Sequence, residues 1–563
     1  MRKKWILKEA NESLVSKLAK TLGISPIIST ILINRGVKDA DTAKQFLTST
    51  LNDLHSPLLF KDMDKAILRI KEALKKEEKI LLYGDYDVDG ITSVVLLFSA
   101  LKRFGADVDT YIPNRIKEGY GLNKEAIESA HKRGVSLLIT VDCGISAHEE
   151  IDHAAELGID TIVTDHHRIP AQGAPRAHAV INPLQEDCLY PYKGLSGVGL
   201  AYKLAQAISI DRPDYDPTEG LDLVALGTIA DISPQTGENR ILTIYGLKAL
   251  KVTKRLGLRK MIEVAGLKKE ISSYHVGYII APRINAMGRL GSADIAVRLL
   301  LTENEDEAHE LALRLNKENK SRQGIEERIL KEALAKVDAE INFKYHKSIV
   351  LGDESWHPGV LGIVASRLVD RFYRPTILIA FDGDTGKGSG RSVKNFHLFR
   401  GLNECKDLLL DFGGHAAACG VLLKKEMLEN FRERFNGIVS RDLPDGDLVP
   451  TVEIDAEVSL SHLNEDLISQ LERLAPFGPG NPKPVFVSRN IYLKKGPTRI
   501  GRRGVKAWVS DGSTTCEAIS FREDHGLYGL ENSGVDLVYL PSVNDWQGIS
   551  SLQLMLEDVG QIS

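Results

Sequence analysis

Four short apolar runs, each closed by an acidic or amide side chain, constrain any fold this chain can adopt. They are KILLYGD (79–85), SLLITVDCGI (136–145), DTIVTDHH (160–167) and HAVINP (178–183), and the helix-forming stretches between them carry Gly or Asp at their joints. Strands of this length alternating with helices are the pattern of βαβ units and a parallel sheet. In such sheets ligands sit beyond the carboxyl ends of the strands. The acidic residues fall at those ends.

The rest of the chain divides around this segment. At 563 residues it exceeds what one core can organise, so about three or four domains are expected. Residues 1–60 read as short amphipathic helices (Leu14, Leu18, Ile28, Ile31, Leu32), and 61–303 as the parallel α/β segment. Residues 304–338 are proline-free and dense in helix formers, which predicts a long connecting helix with one weak point at Gly324. A smaller α/β segment spans 339–442, with strands at SIVLG and PTILIAF and a helix at GVLGIVASRLVDRF. After the turn-rich linker LPDGDLVP, 450–563 is rich in short β-like runs, which suggests a small barrel.

The chemistry concentrates at the strand ends. Asp85, Asp87 and Asp89 lie in YGDYDVDG, between the strand KILLY and the helix that follows. Alternate positions on extended chain point the same way, so three carboxylates converge there. Unless a cation joined them they would repel one another. Hard oxygen ligands suit Mg²⁺ or Mn²⁺. Asp142 (TVDCGI) closes the next strand, Asp165, His166 and His167 (VTDHH) the one after, and Asp231 closes the apolar run LVALGTIAD. One such Asp or His alone would be structural. Together they point to a metal centre, and imidazole ligands shift the preference towards Mn²⁺.

The net charge of −5 argues against a protein coated in positive charge, but a groove needs only local basic residues. Five scattered cysteines with no CxxC pair fit neither a zinc site nor a disulfide framework, and suggest reduced thiols in the cytoplasm. The N-terminus has no apolar signal-peptide core, and no apolar run reaches the ~18–20 residues of a membrane span.

GDYDVDG, VDCG, TDHH and GTIAD, in this order, resemble the four motifs of the DHH phosphoesterase family. The resemblance implies two divalent ions, typically Mn²⁺ with Mg²⁺ possible, held by Asp87, Asp89, Asp142, His166 and Asp231. It places His167 beside the scissile phosphate, as ligand or transition-state stabiliser, and gives Asp85 and Asp165 the task of orienting their neighbours. Two such ions support in-line hydrolysis of a phosphoester.

The family also contains pyrophosphatases and phosphodiesterases for cyclic dinucleotides or short oligonucleotides, so the four motifs alone do not choose a substrate. Other stretches do. WHPGVLGIVASRL, GSGRS and FGGHAAACG look like the DHH-associated domain, while APRINAMGRLG, the long connector and the C-terminal β segment are similar to the family's single-strand-specific 5′→3′ exonucleases. That resemblance implies a pocket for the 5′ end of a strand, with Arg115, Arg289, Ser389 and Arg391 in the matching places. Asn285 and His415 would face the substrate, with Arg283 and His357 as weaker candidates. Guanidinium forks suit phosphate bidentately.

The segment KKGPTRIGRRGVK (494–506) carries six basic residues and no acid, beside Tyr492, Trp508 and Phe521. A basic stripe next to strand aromatics fits an OB-fold gripping single-stranded DNA. The expectation is thus a two-metal exonuclease on single-stranded DNA in repair and recombination. It would be a cytoplasmic monomer with no membrane contact, alongside a single-strand-binding protein and a helicase. A small-substrate phosphodiesterase would need neither barrel nor stripe, and an inactive binding module would have broken metal motifs.

Overall fold

The computed structural model describes residues 3–114, 118–119, 121–268, 270–290, 293–501, 504–521, 534–546 and 549–560. Its first sheet has five parallel strands in the spatial order Asp107–Tyr111, Lys79–Gly84, Val135–Val141, Asp160–Thr164 and Ala179–Ile181. The order reverses direction between Lys79–Gly84 and Val135–Val141. A doubly wound sheet opens a crevice at that switch point.

Both faces of the sheet are covered, as a parallel sheet requires. One face carries the helices Val88–Arg103, Gly197–Ile208 and Leu221–Ala230, whose apolar sides form the largest core with Ile80, Leu82, Leu137 and Ile139. The other carries Lys124–Lys132 and His148–Glu156 over Leu81, Tyr83 and Leu138.

The connector is one helix, Glu305–Glu340, capped by the Asn304 side chain. It runs unbroken through Gly324. A single Gly weakens a helix by only about 1 kcal/mol, and both halves are packed. Leu311, Ala312 and Leu315 join the first core, while Ile329, Ala333 and Val337 join the second. At the waist Glu326 is buried between Arg322 (3.1 Å) and Arg367 (2.6 Å).

The second sheet is mixed, in the order Asp411–Gly414, Ala418–Lys424, Thr385–Arg391, Thr376–Asp382 and Ile349–Asp353. The C-terminal strands close into a barrel. Phe486–Ile500 pairs with both Gly504–Ser510 and Val535–Trp546, and Thr515–Ser520 runs parallel to Ile549–Gly560. That connectivity is an OB-fold.

The N-terminal residues do not stand apart. Lys4–Leu7 is a strand, parallel to Thr451–Ile454, where helices alone were expected. Leu18, Ile28, Ile31 and Leu32 from the following helices share a core with Leu467, Phe486 and Leu537 of the C-terminal segment. All five cysteines are buried and free. Among the described residues no single helix is long and apolar enough to cross a membrane.

Candidate metal centre and substrate cleft

The switch point gathers the acidic strand ends. Asp87 caps the helix Val88–Arg103, with Oδ1 accepting from the N–H groups of Asp89 (2.9 Å) and Gly90 (3.2 Å). Asp89, in the first turn, is wholly buried against another helix N-terminus. Its two oxygens accept from Gly197 N (2.7 Å) and Val198 N (2.8 Å). Those donors favour the charged carboxylate, yet burial and then Asp231 push the Asp89 carboxyl upward overall.

Asp142 holds a left-handed backbone (φ 60°) just past its strand. Such strain in a non-glycine residue is kept where the surroundings demand it. A Cβ on Gly197 would lie 2.7 Å from Asp142 Oδ1, so only glycine lets this helix approach so closely. Burial first, then Asp89 and the other carboxylates, raise the Asp142 carboxyl well above the usual range.

His166 Nε2 lies 3.1 Å from Asp142 Oδ1 and 3.9 Å from Asp89 Oδ2. Apart from this approach to each other, the buried His166 Nε2 and Asp142 Oδ1 atoms have no hydrogen-bond partner among the described residues. Burial opposes charge on His166, but Asp231, Asp89 and Asp165 outweigh it and raise its pKa. Asp231 caps the C-terminus of Leu221–Ala230 and accepts from the Ser233 hydroxyl; burial raises its carboxyl against the pull of His166. Buried, mutually repelling carboxylates around a single imidazole are the environment that a divalent cation would relieve.

The ligand atoms group in three overlapping triads, each within 4.8 Å: Asp89–His166–Asp231, Asp142–His166–His167 and Asp85–Asp87–Asp142. A donor set of oxygens with imidazole fits Mn²⁺ or Mg²⁺. Asp165 belongs behind this layer. It is buried, accepts from Ile145 N (2.9 Å) and His167 N (3.0 Å), and faces His167 Nδ1 at 2.7 Å. Burial works against its charge, but the His167 hydrogen bonds win and hold its carboxyl below the usual value.

The remaining expected residues fall in three places. Asn285, on the helix Ala281–Leu290, turns its Oδ1 to the Val88 N–H (3.1 Å), so it holds the acidic loop itself. Ser389 and Arg391 lie on the second sheet beside Gly362, at the N-terminus of Leu361–Phe372. Arg391 Nη1 donates to the Gly390 carbonyl (2.7 Å) and Ser389 Oγ (3.3 Å). His357 caps the short turn before that helix, its ring accepting the Gly359 N–H at 3.1 Å. Arg283 donates to Asn316 and to the Ile279 carbonyl. Arg115 and the Arg289 side chain lie outside the described residues.

A cleft of about 1150 Å³ runs between the two α/β units, with Asp165, His166 and His167 on one wall and His415 opposite. His397 and Phe399 also line that far wall. Sequence reasoning missed them, since VKNFHLF carries no motif and only the fold turns it towards the cleft.

Family models match this architecture segment by segment: the DHH family N-terminal domain over residues 79–228, the DHHA1 domain over 342–441 and the RecJ OB domain over 454–558. The chain is 40% identical to the single-stranded-DNA-specific exonuclease RecJ of Bacillus subtilis, over 99% of this chain and 70% of that one. With the RecJ of Escherichia coli it shares 34% identity over 96% of both chains. The chain belongs to the RecJ family. A crystal structure of RecJ from Thermus thermophilus with Mn²⁺ superposes with a TM-score of 0.86 at 31% identity, covering all of this chain and 80% of that one.

The RecJ relationship accounts for the closed barrel, which a small-substrate phosphodiesterase does not require. It also accounts for an intact donor set where an inactive relative would have lost it. In the barrel, Tyr492, Trp508 and Phe521 are exposed as expected, and so are Lys494, Lys495 and Arg499. Lys506 is not a free cation of the stripe: it pairs with Glu517 and lies over the Trp508 ring. Arg502 and Arg503 lie outside the described residues.

Proposed function

We propose that this chain hydrolyses single-stranded DNA from its 5′ end, releasing mononucleotides in DNA repair and recombination, with two divalent ions (Mn²⁺ preferred, Mg²⁺ accepted). What carries the reading is the convergence of three ligand triads around the buried Asp142 and largely buried His166 side chains, inside a cleft roofed by a second domain. Asp87, Asp89, Asp142, His166 and Asp231 would hold the ions. Bound there, the pair supplies an activated water and charge neutralisation for in-line displacement at phosphorus.

The protein's own groups do the rest. Asp165 fixes the Nδ1 side of His167, which aims Nε2 at the scissile phosphate. The N–H groups of Gly197 and Val198 keep Asp89 oriented, and Asn285 anchors the loop that carries Asp87. Ser389 and Arg391 at a helix N-terminus suit a terminal phosphate by charge and by N–H geometry. Arg115, Arg289 and His415 complete the substrate contacts in this reading. A cytoplasmic monomer working beside a single-strand-binding protein and a helicase is the setting it implies.

The experiment follows 5′- and 3′-labelled single-stranded and duplex DNA with Mn²⁺, Mg²⁺ or EDTA, for wild type and Asp142→Ala. Mononucleotides from the 5′ label, only with metal and only in wild type, are expected. Release from the 3′ end first would overturn the polarity. Activity of Asp142→Ala above about a tenth of wild type, at a site that supplies several kcal/mol, would overturn the ligand assignment.

A further inference from the structure

Two tyrosines outside the metal centre stand in solvent on the helical stretch that leads to Asn285. Tyr274 is 55% and Tyr278 74% exposed, and their rings stack with centroids 5.0 Å apart at 28°. Four residues apart, they share one helix face. Paired aromatic rings held in water mark a surface that recognises something flat and apolar.

The local backbone fixes where they point. Ser273–His275 leads into a π-helical turn at Val276–Ile280 and then into Ala281–Leu290. Pro282 has no N–H to return to the Tyr278 carbonyl, which favours the widened turn. The turn lets one continuous helical stretch present the tyrosines outward and still bring Asn285 to the Val88 N–H.

On one side this stretch meets the metal centre. A Cβ on Gly277 would lie 3.7 Å from Ile229, near the end of the helix that Asp231 caps. Next to Asp231, Ile232 is 70% exposed with φ 63°, an outlier for a β-branched residue. From Ser273 it also meets the segment that leads into the barrel. Ser273 Oγ donates to the Phe477 carbonyl at 3.3 Å, and Gln235 N to the Pro479 carbonyl at 2.7 Å. The helical stretch that carries the tyrosines thus touches both the helix that Asp231 caps and the segment that enters the barrel.

We infer that Tyr274 and Tyr278 are a base-stacking platform for the single strand where it passes from the barrel to the metal centre. The inference rests on the single-strand nuclease reading, and commits this face to DNA rather than to a protein. Stacking on aromatic rings tolerates any base, as a nuclease without sequence preference needs.

The test measures binding of 5′-phosphorylated single strands to the full-length chain in EDTA, with one abasic nucleotide scanned along the strand. In wild type, one or two adjacent abasic positions should weaken binding roughly tenfold. The pair Tyr274→Ala/Tyr278→Ala should weaken binding of the intact strand by a similar factor and lose sensitivity at those positions. Tyr274→Phe/Tyr278→Phe, which keeps the rings, should behave as wild type. Unchanged binding by the alanine pair overturns the inference, as does an equal loss on intact and abasic strands. A wild-type dimer that the alanine pair dissociates in sedimentation would assign the face to a second copy. Failure of the nuclease reading looks different: wild type would then release no mononucleotides, whatever the binding data show.

Discussion

Asp165 grips His167 at two points: its Oδ1 faces the ring Nδ1 at 2.7 Å and accepts the backbone N–H at 3.0 Å. The second grip fixes the chain, the first the ring. Asp165→Asn keeps the size and removes the charge that orients the ring. Turnover should fall roughly 10–100-fold, with melting temperature little changed. Turnover equal to wild type would free His167 of any need for its buried partner.

The approach of Gly197 to Asp142 offers a substitution that adds one methyl group and no charge. In Gly197→Ala the new Cβ would meet the Asp142 carboxylate at 2.7–2.8 Å, and the helix carrying Val198 would have to retreat. Asp89 would lose its donors at the same time. Overpacking of this kind destabilises by about 1–3 kcal/mol, and the displaced carboxylates should weaken Mn²⁺ binding as well. Calorimetric titration with Mn²⁺ and thermal melting check both effects. A variant that binds Mn²⁺ as wild type does would show that the helix moves without disturbing Asp142.

Between pH 6 and 8 the pH dependence of the metal-free protein follows from the raised groups of the centre, since Asp165, held below the usual value, stays ionised throughout. Asp89, Asp142 and Asp231 are raised, so their protonated forms favour the fold at low pH and that contribution is lost as pH climbs through the folded values. His166 and His167 are raised too, and their contribution is present below the ordinary imidazole value and lost above the folded one. The EDTA-treated protein should therefore melt lower at pH 8 than at pH 6. Because Mn²⁺ competes with these protons, the melting increase it gives should be larger at pH 8. An equal increase at both values would mean that these groups are not the ones that meet the ion.

Asp85, Asp142 and Asp165 were legible because each closes an apolar strand, and a doubly wound sheet leaves few other places for the residues that follow. The long helix was legible from its composition; its passage through Gly324 was not, because packing on both halves and the buried Glu326 decide it. The pairing of Lys4–Leu7 with Thr451–Ile454 left no trace in either segment. Nor did the core shared by Ile31 and Phe486. Both are contacts between segments far apart in the chain, set by shape rather than local pattern. The Asp89–Gly197 contact is of the same kind.

That shared core changes how the barrel is tested. Removing everything after residue 450 would strip the N-terminal helices of their cover, so surface variants are cleaner. Lys494, Lys495 and Arg499 are exposed on Phe486–Ile500. In Lys494→Ala/Lys495→Ala/Arg499→Ala, the slope of log affinity for a long single strand against log salt should become shallower by roughly 2, at about 0.7 per phosphate contact. The exposed Trp508 should continue to contribute stacking, because rings act without those charges. An unchanged slope would remove this strand from the DNA-binding surface.

Direction of cutting separates an end-loading enzyme from a nuclease that cuts anywhere. Ser389 and Arg391 belong to the second sheet, while the proposed metal ligands belong to the first α/β unit, and the helix Ala281–Leu290 that holds the acidic loop packs against Pro358–Val360 beside them. A terminal phosphate seated on Arg391 and the N-terminus of Leu361–Phe372 would therefore lie across the cleft from the ions. It would set how far the next phosphodiester reaches. Arg391→Ala should lose the preference for 5′-phosphorylated over 5′-hydroxyl ends. Turnover should fall along with affinity, because misplacing the reacting bond costs rate as well as binding. Arg391→Lys keeps the charge but not the fork, and should recover only part of the preference. Rates on both kinds of end, at low and physiological salt, decide it. If Arg391→Ala keeps the full phosphate preference at both salt concentrations, the 5′ end is held elsewhere in the cleft.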